Sequence, residues 1–234
     1  MNTLAVVTGA SKGIGKAVAR AFAAQGLNLA LTARSKDDLT KVQQEIEKEF
    51  GVSCHVYTAD LSKKEETKAF AQFVKSLNEE VEVLVNNTGT FVQGQLMTEE
   101  DGALEHQIHT NLYSAYWLTR ELFDLLKKAG KAHVFNMCSI ASLQAYAGSG
   151  SYSISKFALL GFSKSLREEL KPHKIKVTSI MPGATYTSSW EGVDIPESRF
   201  MKASDVADVV LSAYKLSPSA VVEDIVMRPL EGDI

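Results

Sequence analysis

Cysteine and surplus positive charge are both scarce in this sequence. The 2 cysteines, Cys54 and Cys138, are far apart and form no CxxC pair. A disulfide framework or a redox motif needs closely spaced cysteines, so we expect two reduced, structural thiols. Lys and Arg number 25 against 28 Asp and Glu, which gives a formal net charge of −3 without a basic stripe. This balance argues against nucleic acid or an anionic membrane as the main partner.

Long hydrophobic runs are also missing. No stretch of 18 apolar residues occurs, and the first letters, MNTLAVVTGA, enter a strand without a basic region. We therefore expect neither a signal peptide nor a transmembrane helix, and predict a cytoplasmic protein. No linker rich in proline or serine, internal repeat or low-complexity tract divides the chain. A single domain over residues 1–234 is the simplest organisation.

What the chain does contain is a regular alternation of short β-rich runs and stretches with helical spacing. Strands are predicted at 4–7, 28–32, 53–57, 81–85, 133–137, 176–180 and 221–226. Helices are predicted at 16–25, 36–50, 63–77, 99–128 and 152–170. Nearly continuous apolar strands separated by helices are typical of a parallel sheet covered on both faces. The pattern predicts an α/β fold, a Rossmann-type doubly wound sheet of about seven parallel strands.

The first predicted strand ends in a glycine-rich turn, TGASKGIG at 8–15. Gly9, Gly13 and Gly15 have the spacing GxxxGxG and precede a helix. Such glycines let the backbone approach a pyrophosphate, and the helix N-terminus offers amide donors and partial positive charge. A tight strand-to-helix turn without a ligand would show similar glycines. The position at the first strand of an alternating chain favours dinucleotide binding.

The end of the second predicted strand indicates which dinucleotide is bound. An acidic residue about 20 positions beyond the glycines usually holds the adenosine ribose. This chain has Arg34 there, and Asp37 and Asp38 follow where they suit a helix N-terminus. Arg34, helped by Lys12, suits a 2′-phosphate through charge-assisted hydrogen bonds, so we predict NADP(H). The alternative is that both cations are solvated surface charges.

A tyrosine and a lysine lie one helical turn apart in YSISK, residues 152–156, after the glycine- and serine-rich stretch 148–151. Residues four apart lie on one helix face, so the ammonium of Lys156 can approach the phenol of Tyr152. By itself, such a pair is more typical of a surface tyrosine beside a solvated lysine. Its meaning depends on the other motifs.

Taken in chain order, seven motifs resemble the short-chain dehydrogenase/reductase family. They are TGASKGIG, Asp60 in TADLS, NNTG at 86–89, Asn111, Ser139, YSISK and PGATYT at 182–187. The resemblance extends from Thr3 to about Val226, and the family's usual NNAG reads NNTG here. The short region after Pro182 leaves room only for a small substrate lid at about 184–203.

The resemblance implies a catalytic tetrad of Asn111, Ser139, Tyr152 and Lys156. Tyr152 is the implied general acid in reduction, and the base in oxidation, because a proton must reach the developing alkoxide. Lys156 and the oxidised nicotinamide are expected to favour the phenolate. Ser139 is implied to donate to the substrate oxygen, and Asn111 to hold a water that relays protons with Lys156. The ordinary alternatives are a turn-forming serine and an exposed helix asparagine.

The resemblance also implies a cofactor site for NADP(H). Its implied residues are Gly9, Ser11, Lys12, Gly13, Ile14, Gly15, Arg34, Asp60, Leu61, Asn87, Gly89, Tyr152, Lys156, Pro182, Gly183, Thr185 and Thr187.

The predicted function is reduction of a ketone or aldehyde, with a 3-oxoacyl thioester as one candidate substrate. Members specific for acyl carrier protein commonly carry interface arginines where this chain has Gly130 and His173, although neighbouring lysines offer substitute charges. A pterin reductase is an enzymatic alternative. A non-catalytic NADP(H)-binding sensor is another, but a sensor is expected to lose tetrad residues.

Two further expectations concern metal and assembly. His106 and His109 lie three apart without a third ligand, so we predict no metal site, and Tyr146 is expected to line the substrate cleft or a loop. The apolar strand at 221–227 is predicted at the sheet edge, and the helix 99–128 carries more apolar surface than one core-facing stripe needs. The family commonly pairs through these elements, which implies a homodimer or tetramer. A monomer with its tail folded over the edge is the alternative.

Overall fold

Seven parallel strands form one sheet in the computed structural model, which describes residues 3–187, 190 and 192–234. The strands are β1 (Thr3–Thr8), β2 (Asn28–Ala33), β3 (Cys54–Thr58), β4 (Glu80–Asn86), β5 (His133–Met137), β6 (Lys176–Pro182) and β7 (Asp224–Met227). The helices are α1 (Gly13–Ala23), α2 (Lys36–Phe50), α3 (Lys64–Ser76), α4 (Ala103–Ile108), α5 (Ser114–Ala129), α6 (Gly150–Leu170) and α7 (Ala203–Tyr214).

The strand order β3-β2-β1-β4-β5-β6-β7 confirms the predicted doubly wound sheet. The winding direction reverses between β1 and β4, so the loops after these two strands diverge at the carboxyl edge. Ligands of doubly wound sheets bind in the crevice at this reversal. The fold therefore places the turn at 9–15 and the NNTG segment side by side.

Both faces of the sheet are buried, which explains the nearly continuous apolar strands. Along β1, Ala5 and Val7 pack into one hydrophobic cluster, whereas Leu4 and Val6 pack into the cluster on the opposite face. This alternation is the two-residue period of a strand. The first cluster includes side chains of α1 and α7, and the second includes side chains of α3, α5 and α6.

Several predicted boundaries were wrong; the helix predicted at 16–25, for example, spans Gly13–Ala23. The predicted helix 99–128 begins at Ala103, after Gly102 in the left-handed region (φ 89°), and contains a π-helical turn at His109–Tyr113. The predicted last strand starts later, at Asp224, because the Val222 carbonyl accepts a hydrogen bond from the Thr178 side chain. Helix α6 starts at Gly150, within the stretch expected to precede it. Helix α7 lies outside the predicted set.

One histidine is enclosed by the sheet. His133, on β5, is 2% exposed, and its Nε2 lies 2.7 Å from Thr178 Oγ1. Because the Thr178 hydroxyl donates to Val222, His133 Nε2 carries the proton and donates to Thr178. Nδ1 has no hydrogen-bond partner within the described chain. Burial, assisted by the nearby charge of Lys176, lowers the pKa of His133 to about 3.

The predicted substrate lid is held together at its base. Met201 N donates to Ala184 O (3.0 Å) and Tyr186 N donates to Met201 O (2.8 Å). These hydrogen bonds join the beginning and the end of the predicted lid. The part of the predicted lid at residues 188, 189 and 191 lies outside the described residues. Within the described chain, no helix combines the length and hydrophobicity needed to span a membrane.

Candidate active site

The glycine turn after β1 forms a cradle that side chains would fill. A Cβ on Gly15 would lie 2.3 Å from the Gly9 carbonyl oxygen, and Gly9 itself has a left-handed φ of 62°. Helix α1 begins here without a side-chain cap and without an acidic residue in its first turn. No carboxylate in this first turn competes for the first amide groups of the helix, which fits the pyrophosphate of a dinucleotide.

Asn87 fixes the glycine turn to the end of β4. Its Nδ2 donates to Thr8 O (2.9 Å) and Gly9 O (3.2 Å). The Thr8 hydroxyl accepts from Asn87 N and Thr88 N, both at 2.9 Å. Asn87 thus lies at the predicted cofactor site, where its side-chain amide holds the cradle in shape. These hydrogen bonds join the ends of β1 and β4, where the winding of the sheet reverses, and make the cradle rigid.

The predicted 2′-phosphate ligands, Arg34 and Lys12, are both exposed. Ser35 caps α2 by accepting from Asp38 N, so the acidic residues Asp37 and Asp38 lie in the first turn of that helix, as expected. Arg34 has no ion pair within the described chain, so its guanidinium is available to a ligand.

Asp60 lies after β3 and is partly buried. Burial opposes ionisation of its carboxyl, but hydrogen bonds from Ser62 and the charges of Lys63 and Arg34 outweigh burial and hold its pKa below the usual range. Its backbone N donates to Glu66 Oε2 (2.7 Å). Leu61, the next predicted cofactor residue, is 3% exposed. The loop after β3 therefore presents a fixed carboxylate.

Lys156 is the most deeply placed cation of the site. It is 5% exposed, and its Nζ donates to Met137 O (2.9 Å) at the end of β5. The same nitrogen lies 5.8 Å from the centre of the Tyr152 ring. A Cβ on Gly89 would come within 3.5 Å of it. The structure therefore brings Tyr152 and Lys156 together at the carboxyl edge of β4 and β5, where the Met137 carbonyl holds the lysine ammonium.

Asn111 connects the π-helical turn to the Tyr152 helix. Its Nδ2 donates to Ser155 Oγ (2.8 Å) and to Thr90 O (3.0 Å), and its Oδ1 accepts from Thr90 N (2.7 Å). Ser155 Oγ in turn donates to Tyr152 O (2.7 Å). The side chain is buried and engaged, so the alternative of an exposed helix asparagine is wrong. Single π-turns within helices often occur at functional sites.

Ser139 lies after β5 with its hydroxyl available as a donor. It is 7% exposed, and Oγ accepts from Ala141 N (3.1 Å). In the described residues, the hydroxyl proton has no acceptor. The neighbouring Cys138 is buried, and burial raises the pKa of its thiol to about 11, so this cysteine is a neutral packing residue.

The PGATYT segment begins with Pro182, the last residue of β6, and continues past the carboxyl edge of the sheet. Gly183 N donates to Met227 O (2.8 Å), and Thr185 Oγ1 donates to Gly183 O (3.1 Å). A Cβ on Gly13 would lie 3.0 Å from the Thr187 methyl group, which shows that this segment reaches back to the cradle. The remaining predicted cofactor residues, Ser11, Ile14 and Pro182, lie in the cradle or at the end of β6.

The C-terminal tail supplies groups that sequence reasoning missed. The Tyr146 hydroxyl donates to Asp233 Oδ2 (2.9 Å) and accepts from Arg228 Nη1 (3.1 Å), while Arg228 and Asp233 form an ion pair. Glu231 pairs with Arg199 of the lid (3.3 Å). The tail thus joins the loop before α6 to the lid.

Two other residues that the sequence analysis did not single out, Ser155 and Phe91, contact the predicted tetrad. The sequence also predicted no metal site. Ser155, described above, is the fourth letter of YSISK, and Phe91 contacts the Tyr152 ring edge-on at 4.9 Å. His106 and His109 are exposed. No cluster of three or more His, Cys, Asp or Glu side chains suited to a metal occurs in the described part of the chain.

Comparison with known proteins finds similar sequences over most of the chain. Residues 3–197 match the family described as short chain dehydrogenase. A sepiapterin reductase of Chlorobaculum tepidum is 33% identical, covering 100% of this chain and 99% of the relative.

Two solved structures have the same fold over nearly the full length. An alcohol dehydrogenase from Thermococcus sibiricus, complexed with 5-hydroxy-NADP, has a TM-score of 0.92 and 28% identity, covering 100% of this chain and 99% of that one. L-sorbose reductase from Gluconobacter frateurii, complexed with NADPH and L-sorbose, has a TM-score of 0.90 and 26% identity, covering 97% and 94%. Their cofactors agree with the predicted NADP(H). This chain belongs to the short-chain dehydrogenase/reductase family of oxidoreductases.

Proposed function

We propose that this chain uses NADPH to reduce the carbonyl group of a small molecule, with Tyr152 as the proton donor. The observation that carries the proposal is the buried Lys156, which is fixed on Met137 and lies 5.8 Å from the Tyr152 ring. A lysine that is 5% exposed is costly to bury unless its charge is used or paired. A phenol that loses a proton during reduction is a suitable partner for that charge.

The chain's own residues divide the work of binding. The amides of the cradle at 9–15 would hold the pyrophosphate, and Arg34 with Lys12 would hold the 2′-phosphate. Asp60 and Leu61, together with Asn87 and Gly89, would line the adenosine and ribose path. The segment from Pro182 through Gly183, Thr185 and Thr187 would close the nicotinamide end. When bound, NADPH supplies the hydride that reduces the carbonyl carbon.

The chemistry needs a proton at the carbonyl oxygen. The Ser139 hydroxyl, whose proton is uncommitted within the described residues, would donate to this oxygen and orient it. Tyr152 would transfer its phenolic proton to the same oxygen, and Lys156 would stabilise the phenolate that remains. Asn111 and Ser155 hold the backbone of Tyr152 in register, and the water relay through Asn111 stays a prediction.

The substrate range is narrowed by two observations. Gly130 and His173 carry no guanidinium of the kind expected for acyl carrier protein, and the neighbouring lysines offer only point charges in its place. The 3-oxoacyl thioester therefore stays a prediction that the site does not favour. A pterin carrying a carbonyl side chain is the second candidate, because the sepiapterin reductase relative matches along the whole chain.

A substrate panel tests the proposal. NADPH oxidation is followed by absorbance with aldehydes, diketones, 3-oxoacyl esters and a pterin with a carbonyl side chain. We expect turnover with at least one class, and a loss of at least about 10²-fold in kcat for Tyr152→Phe with NADPH affinity unchanged. Tyr146→Phe is the matched control, since Tyr146 is the second phenol near the cleft, and should keep its kcat. Full turnover by Tyr152→Phe would overturn the assignment.

A further inference from the structure

Helix α6, which carries Tyr152 and Lys156, is not capped by its own N-cap residue. Ser149 occupies that position and makes no side-chain cap. Its hydroxyl is already used, because it donates to Tyr146 O (2.7 Å) and lies 2.7 Å from Ser153 Oγ. The first amide groups of the helix therefore need acceptors from elsewhere in the fold.

The segment before α4 provides these acceptors. Gly150 N donates to Gly94 O (3.1 Å), and Ser151 N makes a long hydrogen bond of 3.5 Å to Glu99 Oε2. The Ser151 hydroxyl donates to Glu99 Oε1. A carboxylate is the favoured group at this place, because the first turn of a helix carries partial positive charge.

Space for the Glu99 carboxylate is built into the backbone by two glycines. A Cβ on Gly94 would lie 3.0 Å from Glu99 Oε2. A Cβ on Gly150 would lie 2.9 Å from Gly94 O and 3.2 Å from the same carboxylate oxygen. Ser151 is 0% exposed, so its hydroxyl depends on a protein acceptor, which is Glu99. The contact is therefore a fitted one between elements 52 residues apart.

We propose that Glu99 is a positioning residue for catalysis: it holds the first turn of α6 through Ser151 and so keeps Tyr152 in place beside Lys156. The inference rests on the proposed role of Tyr152 as proton donor. Lys156 is held separately, by Met137, so loosening the first turn moves the phenol while the ammonium stays. Glu99 acts through Ser151 and does not itself take part in proton transfer.

Single-turnover kinetics on the full chain test this role. NADPH-loaded enzyme is mixed with the best carbonyl substrate of the panel, so that the amplitude counts competent molecules and the rate constant reports the chemical step. We expect the rate constant to fall about 10-fold or more in Glu99→Ala and in Ser151→Ala, with the amplitude retained. The double variant should be no slower than the slower single variant, because each substitution removes the same contact between Glu99 and Ser151.

Two matched variants complete the design. Glu99→Gln keeps an oxygen that accepts from Ser151 and should stay within about threefold of the unmutated rate constant. Glu100→Ala removes the neighbouring, exposed carboxylate, which makes no side-chain hydrogen bond or ion pair in the described chain, and should leave both amplitude and rate constant unchanged. The dissociation constant for NADPH, measured by fluorescence, should hold in every variant.

Several results would overturn the inference. A lower amplitude with an unchanged rate constant would indicate a purely structural role. A raised KM for the carbonyl substrate with an unchanged kcat would indicate that Glu99 contacts the substrate. The third such result is a Glu99→Gln variant as slow as Glu99→Ala. The Tyr152→Phe variant separates the two proposals. If Tyr152→Phe is inactive while Glu99→Ala reacts normally, only the positioning role fails; if Tyr152→Phe reacts normally, the proposed function fails.

Discussion

The charge of Lys156 can be removed with little change of shape by the substitution Lys156→Met. Methionine has a similar length and suits a site in which the side chain is 5% exposed. The variant loses the ammonium beside the Tyr152 ring and the hydrogen bond to Met137 O. If the lysine stabilises the negative charge that develops on the phenol, the chemical step must slow.

The size of the effect follows from the distance. For unit charges 5.8 Å apart, with the ring centre taken as the centre of the phenolate charge, an effective dielectric constant of about 20 gives an interaction of about 3 kcal/mol. Since each 1.36 kcal/mol on the barrier is a factor of ten, kcat should fall about 10²-fold. A dielectric constant near that of water would reduce the effect to about threefold.

The measurement is a single turnover at saturating NADPH, because Lys156 is also predicted to contact the cofactor. NADPH affinity is determined separately by fluorescence, and thermal unfolding reports whether the loss of the Met137 hydrogen bond weakens the fold. Lys164→Met is the matched control, since Lys164 lies two turns further along α6, is exposed and pairs with Asp224. It should keep the rate constant.

The reasoning would be refuted by a Lys156→Met enzyme that folds, binds NADPH and turns over within about threefold of the unmutated protein, because the lysine charge would then be screened as strongly as in bulk water. A fall limited to NADPH affinity, with the single-turnover rate unchanged at saturation, would assign Lys156 to cofactor binding alone.

Three further predictions concern cofactor choice, pH and assembly. Arg34→Ala should weaken NADPH binding by about 1.5–3 kcal/mol and leave NADH binding unchanged, whereas Arg20→Ala, which removes a distant ion pair with Glu49, should change neither; equal binding of both cofactors by the unmutated protein would contradict this. The folded pKa of His133 is about 3, below its unfolded value, so the unfolded state binds more protons between about pH 6.5 and 3. The free energy of unfolding therefore decreases as the pH is lowered through this window. The advantage of the unmutated protein over His133→Gln in the free energy of unfolding should therefore shrink by about 1 kcal/mol as the pH falls from 6 to 5, and a constant difference in urea titrations would disprove it. Light scattering coupled to gel filtration should give at least twice the 25.5 kDa chain mass, and Phe157→Glu, on the exposed face of α6, should lower it; a monomer at micromolar concentration would rule out the homodimer.

The sequence by itself determined the elements that depend on local spacing. Nearly continuous apolar runs separated by helical stretches predicted the parallel sheet, since a strand buried on both faces has no polar side. The glycine spacing at 9–15 predicted the cradle, because only a missing Cβ permits the 2.3 Å approach at Gly15. The four-residue spacing of Tyr152 and Lys156 put them on one helix face.

Only the tertiary structure decided how these pieces are held. The Asn111–Ser155 hydrogen bond joins residues 44 apart, the Tyr146–Asp233 hydrogen bond joins residues 87 apart, and Glu99 reaches Ser151 across 52. The position of Lys156 likewise depends on the Met137 carbonyl at the end of another element. No spacing in the chain encodes such contacts, because they form only after the sheet and helices have packed and buried polar groups must find whichever partners lie nearby.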